Sequence, residues 1–152
     1  MKPINEDEAE LFIEEHLRRQ GWNLTDFTVT RKRWREHLDG EEADRVFFHD
    51  GEIAAILEAK RPSRDLWAAL DQAKHYARTY KKNTGHDILL LFASDGNTYL
   101  RQKFSASRPP TYVVANGYWD RENYHRGRNN RETLVSWVDS SVALSRGSGS
   151  PG

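Results

Sequence analysis

The stretch ADRVFFHDGEIAAILEAK, residues 43–60, decides the fold of this chain. Two strand-forming runs flank Asp50-Gly51, a pair that favours the two-residue turn of a β-hairpin. Side chains alternate faces along a strand. Asp44, Val46 and Phe48 therefore share one side of the first run, and Ile56, Glu58 and Lys60 share one side of the second. Glu58 and Lys60 are charged residues within an apolar run, where charge is costly unless it is paired or used. An ideal two-residue turn sets His49 opposite Glu52 and hence Asp44 opposite Leu57, which turns Glu58 to the other face. The two carboxylates meet only if a bulge, or a wider loop through HDGE, shifts the register by one residue.

Outward from the hairpin, Pro62 ends the second strand and a helix is predicted over roughly Ser63 to Lys82. Leu66, Leu70, Ala73 and Ala77 form its apolar stripe, with Gln72 and Tyr76 one turn apart beside it. HDILLLFAS, residues 86–94, is a continuous apolar run that suits a central strand covered on both faces. Asp95-Gly96 turns it into NTYLRQKF, and TYVVANG, residues 111–117, reads as a last strand. Upstream, Asn5 to Gln20 reads as a helix with an acidic first turn, arginines near its end and Gly21 as its stop. Glu10 lies on the same helical face as Ile13 and Leu17, which makes it the acidic residue aimed inward. Asn23 to Arg35 holds a first strand that runs into a basic, aromatic-bearing turn, and LDGEEA reads as a loop. DRENYHRGRNNRETLVSWV starts basic and ends as a short amphipathic helix. The expected fold is α/β, a mixed central β-sheet flanked by helices, with one domain over 1–140 and a flexible tail or linker over 141–152.

Bulk composition narrows the chemistry. Among 152 residues, acidic and basic side chains balance at 23 each, so attraction to a polyanion must come from local clusters. The cluster RKRWR, with Arg31, Arg33 and Arg35, can track phosphates or form a solvated basic loop. The absence of cysteine excludes disulfides, thiolate zinc sites and cysteine nucleophiles, and fits a reducing cytoplasm. None of the six histidines stands at His-x-x-x-His spacing. No apolar run approaches membrane-spanning length, and MKPINEDEAE lacks a signal-peptide pattern.

With the register shifted, two carboxylates and an ammonium converge at one end of a sheet. Hard oxygen donors of this kind suit Mg²⁺, and the chemistry implied is phosphodiester hydrolysis. The alternative reading of Asp44 with Glu58 and Lys60 is a structural ion pair at a sheet edge.

The segment ADRVFFHDGEIAAILEAKRPSRDLWAALDQAKHYA, residues 43–77, resembles the PD-(D/E)xK nuclease superfamily. It is most similar to the amino-terminal nuclease domain of type I restriction endonuclease motor subunits. Members carry an Asp in one strand, Glu-x-Lys in the next and Gln-x-x-x-Tyr on the following helix. Asp44, Glu58, Lys60, Gln72 and Tyr76 stand in that order, while the proline of the motif's name is Ala43. ELFIEEHLRRQGW, residues 10–22, looks like the family's first helix, with Glu10 as the matching acid. The resemblance implies a Mg²⁺-dependent endonuclease acting on double-stranded DNA, with Mn²⁺ as a substitute. Asp44, Glu58 and the Ala59 carbonyl would hold the metal, Glu10 would assist, and Lys60 would position the nucleophile. Gln72 and Tyr76 would support the site or grip DNA, beside Arg31, Arg33 and Arg35. Implied partners are a helicase or translocase domain and other restriction subunits. The alternatives are a non-cleaving DNA-binding or docking domain of the same fold, and a junction-resolving or recombination nuclease.

Overall fold

The computed structural model describes residues 5–19, 21–62, 65–104 and 115–118. The expected amphipathic helix after residue 119, the 141–152 tail, and the ends placed at Gln20 and Ser63 lie outside them. Among the described residues no helix is long and apolar enough to cross a membrane.

Helix α1 spans Glu6–Arg19. Asn5 caps it, its Oδ1 accepting the Glu8 N–H at 2.9 Å. At the other end the Gly21 N–H donates to the Arg18 carbonyl and the Trp22 N–H to the Leu17 carbonyl, with Gly21 at φ 99°. Strands β1 (Thr30–Trp34), β2 (Ala43–His49) and β3 (Glu52–Ala59) follow as an antiparallel meander. Helix α2, Leu66–Thr84, then crosses over the sheet to β4, Leu90–Ser94, which pairs parallel with β3. Strands β5 (Thr98–Lys103) and β6 (Ala115–Tyr118) return antiparallel, and the sheet order is β1-β2-β3-β4-β5-β6. The α/β architecture with a mixed sheet is the expected one.

Two boundaries differ from the sequence reading. The basic cluster is strand rather than turn, because β1 pairs Thr30 with Phe47 and Lys32 with Arg45. Helix α2 begins at Leu66, where Asp65 accepts the Trp67 N–H at 2.9 Å and supplies the N-cap.

Each face of the sheet has its own core. On one side Val46, Ile53, Ile56 and Leu91 pack under Leu70, Ala73 and Ala77 of α2. On the other, Phe47, Ala55, Leu57, Leu90 and Phe92 meet Ile13 and Leu17 of α1. Gly96, at φ 87°, lets the β4–β5 turn close on α1, where an added Cβ would come within 3.0 Å of the Ala9 carbonyl and the Phe12 Cβ. The first turns of α1 are thereby seated at the end of the sheet where β2 begins and β3 stops.

Candidate metal and nucleic-acid site

The hairpin turn is the tight one: Asp50 and Gly51 both have positive φ, 52° and 80°, and His49 pairs with Glu52. One step further in, the register shifts. Phe48 pairs with Ile53, but Phe47 pairs with Ala55, so Ala54 is the extra residue of a bulge on β3. Its carbonyl accepts the Leu89 N–H at 3.1 Å. The bulge lets Ile53 and Ile56, three positions apart, share the α2 face, while Ala54 and Ala55 both join the α1 side. From there on, Arg45 pairs with Leu57, and the next step of the ladder sets Asp44 against Glu58. The shift required for the two carboxylates to meet is present, and it arises from a bulge inside the strand rather than from a wider loop.

Backbone hydrogen bonds fix the result. The Asp44 N–H donates to Glu58 Oε1 at 3.1 Å, and the Ala59 N–H donates to Asp44 Oδ2 at 2.8 Å. The Lys60 N–H donates to the Ser94 carbonyl at 2.8 Å, which keeps the chain extended one residue past β3. Lys60 opens into a cleft of about 690 Å³ lined also by Glu6, Asp7, Arg61 and Asp65.

Glu58 is 3% exposed. Burial first, and then the Asp44 carboxylate beside it, push the Glu58 carboxyl up to about 9, against a smaller opposing pull from Lys60. Helix α1 adds two more acids. Carboxylate oxygens of Glu6, Glu10 and Asp44 lie within 4.8 Å of one another. Glu10 is raised as well, by burial and then by Asp44, while Arg33 pulls it down. Glu10 is the acid expected to face inward; Glu6, one turn earlier on the same face, is an addition, and that helical spacing is the signal for it.

Gln72 and Tyr76 stand one turn apart on α2, joined by a 2.7 Å hydrogen bond from Gln72 Nε2 to the Tyr76 hydroxyl. Tyr76 is buried, and its phenol is pushed up to about 12 by burial and then by the Glu58 charge. The pair is thus coupled to Glu58 from the α2 side. The basic cluster divides three ways. Arg31 stacks its guanidinium over Phe27 at 5.3 Å and Trp34 at 5.4 Å. Arg33, between the Lys32–Arg45 and Trp34–Ala43 pairs of the β1–β2 ladder, takes the left-handed conformation at φ 57° and is felt by Glu10. Arg35 is bound to Glu42, with Nε 2.8 Å from Oε2.

Residues 28–118 match the family described as the second domain of the type I restriction enzyme EcoKI endonuclease subunit. The chain belongs to that family. The subunit agrees with the resemblance read from the sequence, although the domain is the second rather than the amino-terminal one. The matched region of this restriction-subunit domain takes in the whole sheet and α2, and with them Asp44, Glu58, Lys60, Gln72 and Tyr76. Helix α1, with Glu6 and Glu10, precedes it. No curated protein and no solved structure matches the chain.

Proposed function

We propose that this restriction-subunit domain is a Mg²⁺-dependent endonuclease of the PD-(D/E)xK type that hydrolyses phosphodiester bonds in double-stranded DNA. The observation that carries the proposal is the bulge-set register, which joins Asp44 to Glu58 and Ala59 immediately before Lys60. The donors suit the ion. All are hard oxygens, and Glu58 and Glu10 are both held above the ordinary carboxylate range partly by the neighbouring negative charge of Asp44, a repulsion that a cation offsets.

Asp44, Glu58 and the Ala59 carbonyl would hold the ion, with Glu10 and Glu6 on its α1 side. The bound cation supplies positive charge against the phosphodiester oxygens and makes water a better nucleophile at neutral pH. Lys60, fixed by its backbone bond to Ser94, presents an ammonium to the cleft, where it orients the attacking water and offsets developing charge on phosphate. Tyr76, bonded to Gln72, would support Glu58 from the α2 side or grip the DNA backbone. Arg31 and Arg33 on the sheet edge offer guanidinium groups to the DNA backbone. Partners would be other restriction subunits and a translocase domain.

The test is plasmid nicking with Mg²⁺ or Mn²⁺ by wild type, Asp44→Ala and Lys60→Ala. Both variants are expected to lose at least about a hundredfold of the cutting rate, in the range seen for transition-state groups. Metal-dependent cutting that survives both substitutions would sink the assignment. Retention of DNA without cutting in any metal would make the domain a docking module.

A further inference from the structure

Beside the carboxylates lies an ion pair that the proposed chemistry does not use. Arg45 Nη2 is 2.7 Å from Glu14 Oε2, and the two side chains are only 7% and 14% exposed. Arg45 Nη1 donates to Thr30 Oγ1 at 3.1 Å, and that hydroxyl donates to the Val46 carbonyl at 2.8 Å. Lys32 stands 3.9 Å from the same Glu14 oxygen. A buried pair of this kind is a poor source of stability, since desolvation of both ions offsets their attraction. Its placement is specific, however. Glu14 is one helical turn beyond Glu10 on α1, and Arg45 follows Asp44 on β2.

Ile13 and Leu17 of α1 also pack on the sheet, apolar contacts that hold the helix down without being directional. A two-armed guanidinium is directional. We infer that the Glu14–Arg45 pair is a positioning clamp, which sets the rotation of α1 so that Glu10 and Glu6 reach the Asp44 side of the cation site. The slot between the two contacts has a volume of about 10 Å³ and is lined by Glu10, Glu14, Lys32, Asp44 and Arg45. The clamp rests on the endonuclease reading, because it acts by aligning carboxylates for a metal.

The replacement of both ions by apolar side chains, Glu14→Leu with Arg45→Met, separates alignment from stability. Thermal unfolding of the double variant is expected within a few degrees of wild type, since such exchanges are close to neutral. Its affinity for Mn²⁺ alone, by calorimetric titration, should fall about tenfold or more, as when support behind a metal ligand is removed. Arg45→Lys, which keeps the charge and loses the fork, serves if the double variant does not fold, and should show a smaller fall in Mn²⁺ affinity. Wild-type Mn²⁺ affinity in either folded variant overturns the clamp. That outcome leaves the site reading standing provided Asp44→Ala still abolishes binding. A wild-type domain that takes up no Mn²⁺ overturns the site reading and the clamp together.

Discussion

A carboxyl lifted to about 9, as Glu58 is, carries its proton at neutral pH and must release it when a cation takes its place. Affinity for Mg²⁺ should therefore rise by about tenfold per pH unit between pH 6 and 9, with close to one proton released per ion. Calorimetry in two buffers of different ionisation enthalpy measures that proton, and Glu58→Gln should abolish its release along with most of the affinity. The same shift bears on folding. Because the folded value lies above the unfolded one, its stabilising share is complete below about 4.5 and is lost as pH rises through about 9. Without metal, the wild-type domain should melt lower at pH 9 than at pH 6, and Glu58→Gln should flatten that difference. Asp44, Glu58 and Lys60 are readable in the sequence because charge at the end of an apolar strand is conspicuous. The conformation of Arg33 is not, since a positive φ at arginine leaves no mark in composition or spacing.

The decisive element is the hairpin. Its turn is legible from Asp-Gly, and the need for a shift follows from counting, but its location at Ala54 does not, because both faces of β3 are buried and alternation is masked there. Ile53 and Ile56, apolar residues three apart around two alanines, are the available clue. Deletion of Ala54 should remove the bulge and leave a regular ladder in which Asp44 still stands opposite Glu58, because every pair beyond Phe48–Ile53 is kept. A folded deletion variant is therefore expected to keep nicking plasmid DNA. A loss of about a hundredfold or more, the size of a lost transition-state group, would show that the bulge itself and not the pairing it sets is what the chemistry needs. The edge strand reads as a turn for a different reason: three adjacent basic residues look solvated in sequence, whereas pairing with β2 and the stacking of Arg31 on Phe27 and Trp34 give them a place on the sheet.

Across the whole molecule the charges cancel, so any hold on DNA depends on where cations are concentrated. Arg35 and Arg45 are occupied by Glu42 and Glu14, while Arg31 and Arg33 are exposed along the β1 edge. Binding to non-specific duplex should thus depend only shallowly on salt. Arg31→Ala with Arg33→Ala should reduce the logarithmic salt slope by roughly two, at near 0.9 for each phosphate left without its cation. An unchanged slope would move the DNA track elsewhere. Fold class is readable at this scale because the element order alone requires a mixed sheet; the docking of α1 is not, since it depends on Gly96 and on Arg45 meeting Glu14 across the sheet face. The strand order β1-β2-β3-β4-β5-β6 also has a kinetic consequence. Every strand neighbour is also the next strand in sequence, so the loops to be closed are short except across α2, and the β2–β3 turn closes soonest. Asp44 and Glu58 thus lie on the two strands joined by the shortest loop of the sheet, whereas Glu10 reaches them from α1, outside that hairpin.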